Sequence, residues 1–148
     1  MKKKQQTLGL CLVGIVVLPC CSTTMVQDFA PESVAGKRIC LDDTATQIQD
    51  SPAGANQWTE WRRFEGGCVF QFSFGADNQC RMPHSPNEAT CLTYTKTGPT
   101  TAEIQCESPE NAHTCYLMFD TPTTGTATKE GYVAEKDFKQ RLIQFTIK

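Results

Sequence analysis

With 148 residues, a formal charge of -2 and 39% hydrophobic residues, the chain has material for one domain. It has no cluster of Lys and Arg of the kind that displaces counterions from a duplex, so a nucleic-acid partner is not expected. Nine cysteines are its one compositional extreme.

Lys2, Lys3 and Lys4 precede an uncharged apolar run, Leu8 to Leu18. That run is shorter than the roughly 20 residues a spanning helix needs. A basic start followed by about 7–15 apolar residues is the layout of a secretory signal, expected over residues 1–20, with a buried core helix as the alternative. The end of the run, Leu18-Pro19-Cys20-Cys21-Ser22, resembles the lipobox of bacterial lipoproteins, which implies a diacylated cysteine as the new N-terminus. Cys21 has the lipobox spacing from Leu18, and Cys20 has it from Val17. Parity favours Cys21, because six further cysteines then remain and all can pair.

Buried acyl chains contribute about 0.8 kcal/mol per methylene, so two or three of them hold a domain persistently to a bilayer without embedding it. The membrane is thus an expected partner through the N-terminal lipid. Ser22 stands where an Asp would resemble an inner-membrane retention signal, which points to the outer membrane. Without Lys2 to Lys4 the chain has 11 basic against 16 acidic residues, a charge of -5 that gives no attraction to anionic head groups.

Residues 21–33 read as the lipidated end and a polar spacer, and residues 34–148 as the domain. Alternation with period two then dominates. Strands are expected at Arg38 to Leu41, Gln57 to Phe64, Cys68 to Phe74, Gln79 to Met82, Thr90 to Lys96, Thr101 to Cys106, Thr114 to Phe119, Thr124 to Lys129 and Arg141 to Ile147. Trp58 and Trp61 also fit one side of a helical turn, and Val133 to Lys139 fits either a helical turn or another strand. The Cys68 to Phe74 segment, with Phe70 and Phe72 in phase, is expected at a centre of the core. Eight or nine short strands with Gly, Pro and Asn turns and no long helix describe an all-β fold, an antiparallel barrel or sandwich.

Six cysteines in an exported domain read first as disulfides. Their successive spacings, 28, 12, 11, 15 and 9, contain no Cys-x-x-Cys pair for zinc or redox chemistry. Opposing Cys106 to Cys115 also sets Ile104 by Leu117 and Ala102 by Phe119 on one apolar face. A turn near Ser85 and Pro86 brings Cys80 to Cys91, leaving Cys40 for Cys68, although Cys91 also falls opposite Cys106 across Gly98-Pro99.

The run Leu92 to Ala102, with Tyr116-Leu117-Met118-Phe119 and Pro122 to Thr126, is similar to a hairpin pattern in small bacterial lipoproteins with a calycin-like β-barrel. Gly36-Lys37-Arg38-Ile39 and Phe145-Thr146-Ile147 resemble the first and last strands of that family. The likeness spans residues 35–147 and implies a fold, without the Gly-x-Trp of lipocalins and without an activity.

Chemistry has few carriers. His84 and His113 lie in turn-like stretches and read as exposed loop residues, with a Cys80 and His84 metal pair as the rival of disulfide pairing. Asp42, Asp43, Glu60 and Glu65 read as solvated strand ends. No phosphate loop, nucleophile elbow or His-Glu-x-x-His is present, so neither an enzyme nor a cofactor or metal is expected. Trp58, Trp61, Phe64 and Phe70 form the densest aromatic patch. They read as core or, with Arg62, as a ligand-binding or protein-binding surface. The sequence thus points to an anchored binding or envelope-structural module, with a carrier of a small apolar ligand and a protein-binding inhibitor or adhesin as alternatives.

Overall fold

The computed structural model describes residues 26–85, 88–107 and 112–148, with 81–85, 88–91 and 107 described by their backbone. The leader, both candidate lipidation cysteines Cys20 and Cys21, and the side chains of His84 and Cys91 lie outside the described residues.

The fold is all-β, and its ten strands form one antiparallel sheet. The strands are β1 (Arg38–Asp42), β2 (Gln47–Pro52), β3 (Arg62–Arg63), β4 (Val69–Ser73), β5 (Gln79–Ser85), β6 (Glu88–Gly98), β7 (Thr101–Glu107), β8 (His113–Thr121), β9 (Thr124–Val133) and β10 (Lys136–Ile147). Their hydrogen-bonded order is β3-β2-β10-β9-β8-β7-β6-β5, with β4 joined to β1 and β1 joined to β10. A single sheet replaces the two-sheet sandwich. Among the described residues β4 and β5 pair only with β1 and β6, so the sheet is not closed by hydrogen bonds.

β10 organises the molecule. One of its edges runs along β9, while the other meets β2 over Lys136 to Arg141 and β1 over Gln144 to Ile147. The change of partner coincides with a bulge, where Arg141 and Leu142 together face the single residue Thr128 of β9 and Leu142 takes φ 68°. The extra residue keeps Phe138 and Gln140 on the same face as Ile143, Phe145 and Ile147, which strict alternation would place on the opposite one.

That shared face is the inside of the curved sheet. Ile39, Leu41, Leu92, Tyr94, Ile104, Leu117, Phe119, Ile143, Phe145 and Ile147 are buried together, with Phe119 and Phe145 edge to face at 4.8 Å. Gly125 stands between them because a Cβ there would lie 2.0 Å from Met118 O and 2.8 Å from Phe145 Cε1. The segment before β1, expected as spacer to residue 33, is docked from Asp28 onward. The Phe29 and Ala30 amides donate to Pro99 O, Tyr94 Oη donates to Pro31 O, and Lys96 Nζ binds Asp28 and Glu32 at 2.7 Å each. Val34, fully buried, completes this end of the core.

Several expectations change. The Cys68 to Phe74 segment is not central, because β4 has a partner on one side only, and its inward Phe70 is 40% exposed. Of the Gln57 to Phe64 strand only Arg62–Arg63 is strand, while β2, unexpected, occupies that place beside β10. The Val133 to Lys139 stretch is strand, not helical turn: Val133 ends β9, Ala134 and Glu135 make the turn, and Lys136 to Lys139 begin β10.

The staples are also redrawn. No two cysteines with described side chains lie at disulfide distance. Phe119 N donates to Thr100 O and holds a register in which Cys106 faces His113 and Cys115 faces Ile104. Cys106 and Cys115 are therefore diagonal neighbours, a relation of about 7–8 Å that a disulfide cannot bridge without backbone movement. The two-residue offset preserves the inward face. Cys40 faces Gln71 while Cys68 precedes β4, and Leu92, not Cys91, is opposite both Cys80 and Cys106.

Candidate functional site

The inside of the sheet is filled at one end and hollow at the other. At the β9–β10 turn, three rows of inward positions run across the strands: Cys115, Lys129, Gln140 and Ile48; then His113, Gly131, Phe138 and Asp50; then Val133 and Lys136. All of these except Cys115 and Gly131 line, with Asp43, Phe64, Gly66 and Phe70 from the facing loops and β4, a cleft of about 630 Å³. Its walls are chiefly apolar, through Ile48, Phe64, Phe70, Val133 and Phe138. A smaller depression of about 320 Å³ lies around Tyr116 and Met118 of β8.

Small residues make the room. At Gly131 a Cβ would come within 2.3 Å of Ala112 O and 2.5 Å of His113 Cα. The bare backbone lets the His113 and Phe138 rings approach across it, 6.3 Å apart and tilted by 58°. Gly67 does the same for the floor, since a Cβ there would stand 2.1 Å from Asp43 O.

The floor is a closed polar network. Asp43 Oδ1 accepts from the Cys68 amide at 2.6 Å, and its Oδ2 accepts from Gln140 Nε2 at 3.3 Å. Gln140 Nε2 also donates to Thr46 Oγ1 at 2.7 Å, and that hydroxyl donates to Asp43 O. Asp43, expected at a solvated strand end, is 2% exposed, a burial that these donors make tolerable. Asp50 at the rim pairs with Arg62 Nη2 at 2.5 Å. His113 is not a loop residue: it opens β8, half-buried against Phe138, and burial with the nearby Lys129 charge pushes its pKa down to about 4. Burial pushes the Cys115 thiol up to about 11.

The residues singled out from sequence divide. Phe64 and Phe70 line the cleft, and Arg62 reaches its rim through Asp50. Trp58 and Trp61 do not join them. The 53–61 loop folds back over the other face of β2 and β10, where Lys139 Nζ lies 4.8 Å from the Trp58 ring and Arg141 Cζ 4.1 Å from that of Trp61. Gly54 N donating to Asp137 Oδ2 and Gln57 N to Ser51 Oγ hold the loop down. Of the four acids considered, Asp43 is buried in the floor while Asp42, Glu60 and Glu65 are exposed and separate from it. Among the described residues no three His, Cys, Asp or Glu side chains converge as a metal site.

Lys129, Phe138, Gln140, Ile48 and Asp50 escaped the sequence reading. A signal for Lys129 existed, because Gly125, Ala127, Lys129, Gly131 and Val133 alternate with polar positions and so share the inward face. No family model, curated protein or solved structure matches the chain. Its chemistry is accordingly read from the cleft itself.

Proposed function

We propose that the chain is an exported lipoprotein, anchored by acyl groups on Cys21 or Cys20, whose domain is a non-enzymatic binding module for a small, mainly apolar ligand. The anchor rests on Lys2 to Lys4, the Leu8 to Leu18 run and the lipobox-like end. Ser22 supports the outer membrane as its address. The binding assignment rests on one observation: half of the sheet's inner face is left as a cleft of about 630 Å³ with five apolar side chains on its walls. That volume lies within the range of about 300–1,000 Å³ typical of small-molecule sites, and a few polar groups on apolar walls are their usual composition. In this reading the sheet is a calycin-like barrel left open between β4 and β5.

Native mass spectrometry of the full chain isolated from membranes tests both parts. The expected spectrum has a protein lacking Met1 to Cys20 and bearing acyl chains, with a non-covalent adduct that Phe138→Asp abolishes. A chain retaining Met1 and no acyl group would refute the anchor. A ligand-free chain that also takes up no apolar dye would refute the carrier. The edge of β4 that has no partner among the described residues, beside exposed Val69 and Phe70, favours a second reading, an envelope protein that adds a strand there. Capture of such a partner that survives Phe138→Asp but not Val69→Pro would favour it.

A further inference from the structure

We propose that Lys129 is the anchor for an anionic group in the cleft, so that the ligand is a small amphiphile with one negatively charged head and an apolar body. The inference rests on the binding reading above and specifies its ligand.

Lys129 is an inward residue of β9, in one row with Cys115 and Gln140. Its ammonium lies 5.7 Å from the centroid of the Phe70 ring and has no hydrogen bond or ion pair among the described residues. The two carboxylates of the cleft walls are engaged. Asp43 accepts from the Cys68 amide and Gln140, and Asp50 is held by Arg62. Lys136 stands at the exposed turn.

Lys129 is half-buried among apolar walls with its ammonium near the Phe70 ring, and a ring face is a weaker partner for a cation than an anionic group. Its neighbours on β8 add no negative charge: the His113 imidazole is neutral near pH 7, and the Cys115 thiol keeps its proton. The lining sets Lys129 and Lys136 against Asp43 and Asp50, and Arg62 at the rim already pairs Asp50, which leaves Lys129 without an ion-pair partner among the described residues. Lys129 rises from the row of Gln140 to the Phe70 ring, and the remaining walls, Ile48, Phe64, Val133 and Phe138, suit the apolar body of a ligand whose head meets the ammonium.

Two dyes with the same aromatic body test this: anilinonaphthalene sulfonate, an anion, and uncharged phenylnaphthylamine. Each is titrated into the full chain, against a blank of the same buffer and detergent. The sulfonate is expected to saturate one site with an affinity about tenfold above that of the neutral dye. Lys129→Met should erase that preference while changing the neutral dye by less than about twofold, and Lys129→Arg should keep it. Equal affinities in the unaltered chain, which need no variant to fold, overturn the anion anchor and leave the apolar cleft standing. So does a preference that persists in both Lys129→Met and Lys129→Gln. Failure of both dyes to saturate overturns the binding reading as well.

Discussion

His113 couples the cleft to acid. The unfolded imidazole titrates near 6.5, whereas the folded one, desolvated and beside Lys129, waits until about 4. Between those values the unfolded chain binds a proton that the folded chain refuses, so stability falls as pH drops from about 6.5 to about 4. Above the window the group is neutral in both states and contributes nothing to the slope. The shift corresponds to at most about 3 kcal/mol. Urea unfolding of the chain and of His113→Asn, at pH 7 and pH 4.5, should show the variant losing less stability on acidification. Parallel losses would mean that the imidazole is as well solvated as in the unfolded chain. Carboxylates titrate in both proteins, so the difference isolates His113.

At the level of the strand, the bulge in β10 carries the consequence. Leu142, 54% exposed and with positive φ, contributes little packing, yet it sets the phase that sends Phe138 and Gln140 into the cleft and Ile143 and Phe145 into the core. Deleting Leu142 should lower the unfolding midpoint sharply, because one of those two sets must then turn to solvent, at about 1.5–3 kcal/mol for each large apolar side chain exposed. Leu142→Asn, which tolerates the left-handed backbone, should leave the midpoint unchanged or raised in the same melt. A deletion as stable as the parent would show that the phase is set elsewhere. The bulge also explains what sequence could and could not reveal. β7, β8 and the first half of β9 alternate without interruption between a buried inner face and an outer one, which is chiefly polar in β7 and threonine in β9, and they were legible. β10 was legible as a strand from Arg141, while its first residues stayed open between strand and helical turn, since Leu142 breaks the period. β2, Gln-Ile-Gln-Asp-Ser-Pro, was invisible: its inner face looks into a cleft instead of a core, and its outer face is covered by the Trp58 loop through polar contacts. The cysteines misled for another reason, since correct strands in a register two residues away turn opposed pairs into diagonal ones.

For the molecule as a whole, the docked segment and the cleft mark opposite ends. Residues 28–34 seal the end at Pro99 and Asn78, while the cleft opens at the β9–β10 turn. β9 alone runs from one end to the other with ten residues, a span of about 33 Å. If Cys21 carries the lipid, residues 22–27 are the only chain between the bilayer and Asp28, and fully extended they reach about 20 Å. The tether is thus shorter than the domain and attached at the sealed end, so the cleft should face away from the anchoring membrane and load from the surrounding compartment. Amide NMR of the lipidated chain on nanodiscs containing a paramagnetic head-group lipid reads this orientation directly. Signals of Gly98 and Thr123 should broaden first, and those of Val133 and Lys136 should persist. The reverse order would turn the cleft toward the bilayer and make the anchoring membrane the source of its ligand.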